Sequence, residues 1–102
     1  MLVTVDRAQP EDQPAIFGLL TDNGLPTDGL LDHLESAVVA RLEGRVVACA
    51  ALEIYTDGAL LRSVAVEDAL RGSGLGHQVV RAALDIARER ARCEINLGGS
   101  WP

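Results

Sequence analysis

The stretch Leu61-Arg62-Ser63-Val64-Ala65-Val66-Glu67-Asp68-Ala69-Leu70-Arg71-Gly72-Ser73-Gly74-Leu75-Gly76 carries a strand into a helix through a loop with glycine at every second position. Residues Ala59 to Val66 predict the strand, and Glu67 to Leu70 a short polar turn. A helical period then runs to about Arg92. His77, Gln78, Arg81, Asp85, Arg88, Glu89 and Arg92 share its polar face, and Val79, Val80, Ala83, Leu84, Ile86 and Ala87 the apolar one. The start of a helix carries N–H groups with no acceptor inside the helix, and a partial positive charge. Glycines clear side chains from that end, so such a loop suits a phosphate. Spacing excludes two common phosphate loops. No Gly-Lys-Ser/Thr follows, and a GxGxxG fingerprint would need its third glycine where His77 or Val79 stands. A tight strand-to-helix turn is the plain alternative, although three alternating glycines exceed what a turn needs.

Upstream, Ala37–Leu42 and Arg45–Tyr55 predict two strands around the hairpin signal Glu43-Gly44, and Asp57-Gly58 is a second such signal before Ala59. Counting outward from Asp57-Gly58 pairs Tyr55 with Leu60, Glu53 with Arg62 and Ala51 with Val64. Residues 2–7 alternate as a first strand. Pro10-Glu11-Asp12 suits a first helical turn. Ala15, Ile16, Leu19 and Leu20 give a helical stripe, and Asn23-Gly24 a stop. Thr27 can cap a second short helix to about Glu35. Downstream, Cys93–Leu97 reads as one more strand, parallel to its neighbour by the crossover rule. The order is β-α-α-β-β-β-α-β. The fold class is therefore α/β, with a mixed, mostly antiparallel central sheet and flanking helices. Residues 1–97 form a single domain and 98–102 a tail.

Composition bounds the partners. The 102 residues are 48% hydrophobic and 24% charged, as in an ordinary globular domain. Net charge is −6 and all 9 basic residues are arginine, which argues against a nucleic-acid or anionic-membrane surface. No apolar run reaches the roughly 20 residues of a bilayer span, and no signal peptide is visible, so a cytoplasmic location is expected. Cys49 and Cys93 lack metal-ligand or redox spacing, so both are expected as free thiols with no metal.

Leu61–Val66, the acidic turn, and Arg71, Gly74 and Gly76 together resemble motif A of the GNAT superfamily, whose signature is Arg/Gln-x-x-Gly-x-Gly/Ala. These are acyl-CoA-dependent N-acetyltransferases. Asp12-Gln13-Pro14-Ala15-Ile16 with Leu19-Leu20 is similar to the family's first helix, and Gly44–Ala50 to its third strand. The resemblance covers residues 2 to about 97. Gly24–Leu30 and Leu52–Tyr55 are similar to an arsenic-resistance subgroup. The family's usual C-terminal section, which commonly carries a tyrosine acid, has no counterpart in these residues.

The resemblance implies direct attack of an amine on the thioester of acetyl-CoA, the cosubstrate. It implies that Val64, Ala65 and Val66 hold the pantetheine arm as if it were an extra strand, and that an N–H near Val64 faces the thioester carbonyl. Arg71, Gly72, Ser73, Gly74, Leu75 and Gly76 would hold the diphosphate. Glu53 and Tyr55 are the catalytic candidates, Glu53 to orient or deprotonate the amine. Arg62, on the same predicted face, would bind a substrate carboxylate and so points to an amino-acid-like acceptor. Plainer roles stand beside these: Glu53–Arg62 as a cross-strand ion pair, Tyr55 as an edge-packing aromatic, His77 as a solvated residue, and Ser63 packed on the face opposite Arg62. The competing functional class is a catalytically incompetent module that binds acyl-CoA or dimerises. A homodimer would cover the last predicted strand.

Overall fold

The computed structural model describes residues 3–27, 36–55 and 58–93. Strand β1 (Val3–Arg7) leads through a 3-10 turn (Pro10–Asp12) into helix α1 (Gln13–Asp22). Strands β2 (Ala37–Leu42), β3 (Arg45–Tyr55) and β4 (Gly58–Val66) follow, then a second 3-10 turn (Asp68–Leu70) and helix α2 (Leu75–Cys93). The strands lie in the order β1-β2-β3-β4, every neighbouring pair antiparallel. The expected second helix falls mostly on residues outside those described. So do residues 94–97 of the expected fifth strand. Cys93, expected to open that strand, is instead the last residue of α2.

One helix covers each face of the sheet. Ile16, Leu19 and Leu20 of α1 pack with Val39, Cys49 and Ala65. Leu75, Val79, Ala83, Ile86 and Ala87 of α2 pack with Val38, Ala40, Val47, Ala48, Ala50 and Leu52. A strand covered on one face alternates buried and exposed residues, and β3 does not. Val47, Ala48, Cys49, Ala50, Ala51 and Leu52 are all buried, because both faces of that strand are covered. Leu84, assigned to the apolar face of α2, is exposed, since the buried arc is centred on positions 79, 83 and 86–87.

Turn chemistry places the elements. Glu43 and Gly44 both have positive φ, 53° and 80°, so Leu42 and Arg45 close a two-residue hairpin of the type whose twist matches its strands. Helix α1 ends as its sequence indicates. Gly24 (φ 69°) takes the left-handed position, its N–H donates to the Thr21 carbonyl and that of Leu25 to the Leu20 carbonyl. Those two bonds define a Schellman stop. The α-helix begins at Gln13, after Pro10–Asp12 has wound as a 3-10 turn.

The β3–β4 register is two residues from the expected one. Tyr55 faces Gly58, Glu53 faces Leu60 and Ala51 faces Arg62. Gly58 enters the ladder instead of forming the turn. A shift of two preserves each residue's face, so Glu53 and Arg62 stay neighbours on a diagonal.

The start of α1 is anchored by a bidentate pair. Arg41 donates from Nη1 and Nη2 to the two carboxylate oxygens of Asp12, each at 2.7 Å, and Asp12 also accepts the Gln9 N–H at 2.8 Å. Asp12 is 5% exposed. The Arg41 hydrogen bonds, against an opposing contribution from burial, hold the Asp12 carboxyl below its ordinary value. A group with a lowered folded pKa adds stability above its unfolded pKa, and that stability is lost as pH falls toward the folded value. Asp12→Ala leaves Arg41 with only the longer contact to Asp6, at 3.9 Å, and should cost roughly 3 kcal/mol. In urea titrations the wild-type midpoint should fall as pH drops below the carboxylate's ordinary 3.8, and the variant's midpoint should lose that share of the pH dependence.

Candidate active site

Three features lie along β4 and the loop that follows it. The first is the loop. Gly72 and Gly74 have φ of 85° and 90°, and a Cβ on either would meet nothing within 4 Å. Positive φ, and not crowding, is what demands glycine at both. Among the backbone hydrogen bonds of the described residues, the amides of Gly72, Gly74, Leu75, Gly76 and His77 find no acceptor. The Ser73 amide differs. It donates to the Leu70 carbonyl at 3.2 Å, and the Ser73 hydroxyl bonds the same oxygen at 2.5 Å. Ser73 therefore closes the 3-10 turn and is not among the open donors, a correction to its expected place in the cradle. The Leu75 side chain is buried in the core, so only its backbone faces the loop. A Cβ on Gly76 would lie 3.4 Å from Val66 Cγ2, where α2 approaches β4 closely.

Arg71 is exposed beside the loop. Its Nε lies 3.4 Å from an Asp68 carboxylate oxygen, and its Nη2 donates to the Asn23 side-chain oxygen. Asn23 is a partner that sequence reading used only as a helix stop. No local pattern links residues 48 positions apart in the chain.

The second feature is a bulge in β4. Cys49 faces Ala65 and Ala51 faces Arg62, so Ser63 and Val64 together stand opposite Ala50. The extra residue is left outside the ladder. Ser63 takes φ 56°, and its carbonyl accepts the Cys49 thiol at 3.3 Å. The bulge also changes which residues share a face. Ser63, expected opposite Arg62, lines the same cavity as Arg62, Leu60, Leu25 and Pro26. Val64 and Val66 turn toward the α2 side, and Ala65 toward α1. Among the described residues β4 has a strand partner on one side only. The Glu67 N–H donates to the Val47 carbonyl. By antiparallel alternation, the backbone groups of Val66 then point to the open edge.

The third feature is the ion pair between β3 and β4. Arg62 Nη1 lies 3.0 Å from Glu53 Oε1, with the two side chains 30% and 18% exposed. Arg62 lines a cavity of about 320 Å³ together with Leu25, Pro26, Leu60 and Ser63. Tyr55 ends β3 opposite Gly58, and its side chain lies outside the described residues. His77 is exposed on the polar face of α2. Among the described residues no cluster of three metal-ligating side chains occurs, and no helix is long and apolar enough to cross a membrane.

A four-stranded antiparallel sheet, a bulged fourth strand and a helix opening on unpaired glycine-loop amides make up the candidate site. Residues 5–98 match the acetyltransferase (GNAT) family, and the chain belongs to it. It is 36% identical over 97 residues to an amino-acid acetyltransferase of Mycobacterium tuberculosis, covering 83% of this chain and 55% of that protein. A Mycobacterium tuberculosis protein solved in complex with CoA superposes with a TM-score of 0.76 at 33% identity, over 84% of this chain and 58% of the other. N-acetylglutamate synthase from Neisseria gonorrhoeae, complexed with coenzyme A and N-acetyl-glutamate, shares the fold at TM-score 0.74 and 23% identity, over 87% of this chain and 23% of that one. The chain thus spans little more than half the length of the curated relative it matches.

Cys49 is a free thiol, 1% exposed, and burial pushes it up to about 11, against a smaller opposing pull from the Ala65 backbone. In a Cys93→Ser background, a thiol reagent at pH 8 should label Cys49 only at the rate of unfolding, with full labelling in denaturant. Rapid labelling of the native protein would place the thiol at the surface.

Proposed function

We propose that this chain transfers an acetyl group from acetyl-CoA to the amine of a small amino-acid-like molecule. The observation that carries the reading is the set of unpaired amides at Gly72, Gly74, Leu75 and Gly76, which open at the start of a long helix. A diphosphate satisfies such donors without a basic surface, as an acidic chain requires. Arg71 adds one positive charge at the rim. Ser73 supports the loop from within.

Acetyl-CoA supplies the activated acyl group, and the protein positions it. The open edge of β4 at Val64 and Val66, with Ala65 between them, pairs with the amide groups of the pantetheine arm in the manner of strand addition. The bulge turns a backbone N–H near Val64 toward the carbonyl that gains negative charge, a donor held in place before reaction. The amine forms its bond to the acyl carbon as the carbon–sulfur bond breaks, and it gives up a proton. Glu53 orients the amine and receives that proton, directly or through water. Arg62, bidentate by nature, takes the carboxylate of the acceptor. The apolar wall of Leu25, Pro26 and Leu60 receives the rest of the molecule. The relative named an amino-acid acetyltransferase supports this acceptor class.

Tyr55, at the end of β3, stays a catalytic candidate. The arsenic-resistance subgroup, a homodimer and a cytoplasmic location belong to the same proposal. Sedimentation of the purified chain tests the dimer.

Acetyl-CoA at about 100 times its Kd should stabilise the fold by roughly 2.7 kcal/mol, visible as a raised Tm. No shift at millimolar ligand would reject the reading. Gly74→Val places a β-branched residue at φ 90° and should abolish the shift while far-UV circular dichroism stays native. Thiol release with a panel of amines then separates an enzyme from a module that only binds acyl-CoA. With an accepted amine, Glu53→Gln should lower kcat by roughly 100-fold or more with little change in acetyl-CoA affinity. Unaltered kcat would remove Glu53 as the base.

A further inference from the structure

Asn23 makes contacts that its place at the end of α1 does not require. The backbone stop is complete without its side chain. The Asn23, Gly24 and Leu25 amides already donate to the carbonyls of Leu19 and Leu20, Thr21, and Leu20. The side chain nevertheless takes three further partners. Its Nδ2 donates to the Leu19 carbonyl at 2.8 Å and reaches the Val66 carbonyl at 3.4 Å, and its Oδ1 accepts from Arg71. One amide group therefore joins the end of α1, the open edge of β4 and the side chain at the rim of the glycine loop. It borders a cavity of about 660 Å³ shared with Arg45, Glu67, Asp68 and Arg71.

Chain continuity extends the link. Two residues after Asn23, Leu25 and Pro26 form the apolar wall of the smaller cavity beside Arg62 and Ser63. The Schellman bonds tie Gly24 and Leu25 to the Thr21 and Leu20 carbonyls, so that wall leaves the end of α1 in a fixed direction, and the Asn23 side chain links the same helix end to β4 and Arg71.

We propose that Asn23 is a positioning residue coupling the diphosphate loop to the acceptor cavity. It fixes the guanidinium of Arg71, the residue that precedes the open amides in the chain. It also ties the Val66 carbonyl to the α1 end, which sets how the acceptor wall meets the β4 edge. The proposal rests on the acetyltransferase reading above. Asn23 touches neither reacting group and acts through Arg71, Val66 and Leu25.

A double-variant cycle on acetyl-CoA affinity, measured by calorimetry, tests it. Asn23→Ala should weaken binding roughly tenfold in the wild-type background, the scale of one lost hydrogen bond to a charged group. In an Arg71→Ala background the same change should cost less than about twofold, because the partner is already gone. With an amine that turns over, Asn23→Ala at saturating acetyl-CoA should raise the acceptor KM and leave kcat within about twofold. A residue that merely caps α1 would lower Tm without that split. If Asn23→Ala does not fold, Asn23→Ser enters the same cycle. It keeps a short polar side chain at the helix end, loses the amide that reaches Arg71 and Val66, and should show the same dependence on Arg71. Equal losses in both backgrounds, or unchanged affinity, would overturn the role of Asn23. A wild-type chain that binds no acetyl-CoA would instead overturn the reading beneath it.

Discussion

A backbone N–H at the start of a helix has no acceptor within that helix, and the start of α2 leaves several of them open. A folded chain normally satisfies such donors with a capping side chain, water or a ligand. Here the approach is glycine at positions 72 and 74, both in the left-handed region, and no side-chain cap intervenes among the described residues. Ser73 has the hydroxyl that a cap would need, but it is turned to the Leu70 carbonyl and closes the preceding turn. The donors at Gly74, Leu75 and Gly76 are consequently available to an outside anion. Helix α2 is held in position for this by its buried Leu75, Val79 and Ala83, so the amides sit on a rigid element.

The bulge in β4 is the second constraint, and it serves the first. An extra residue at Ser63–Val64 disrupts the ladder with β3 and swings the strand's outer edge. Without it, Ser63 and Arg62 would lie on opposite faces, and the cavity beside Leu25 and Pro26 would lose one of its polar members. The cost is a non-glycine residue at φ 56°, offset in part by the Cys49 thiol bonding the Ser63 carbonyl. That thiol stays protonated because burial raises its pKa to about 11, so the donor is present across the physiological range. A core cysteine thereby reaches the backbone of the bulged strand.

Much of this is legible in the chain before folding is considered. Alternating glycines between a strand and a helical period point to the loop, and Glu43-Gly44 and Asn23-Gly24 to a hairpin and a helix stop. The β3–β4 register is not legible, because Asp57-Gly58 resembles a turn while Gly58 belongs to the strand. The bulge is hidden for a related reason. Nothing in Arg62-Ser63-Val64 announces an unpaired residue. Glu53 and Arg62 meet despite the wrong register, since an error of two residues keeps both on one face.

Local chemistry acts over a few residues, so the sequence alone determined the turns at Glu43-Gly44 and Asn23-Gly24, the glycine loop and, away from the bulge, the face on which each β4 residue lies. Contacts across long separations depend on where whole elements pack. Packing of one helix on each side of the sheet decided that Arg41 meets Asp12, that Cys49 meets Ser63, and that Asn23 meets Arg71 and Val66. No periodicity encodes such meetings, because they arise from the shape of the buried core and not from neighbours along the chain.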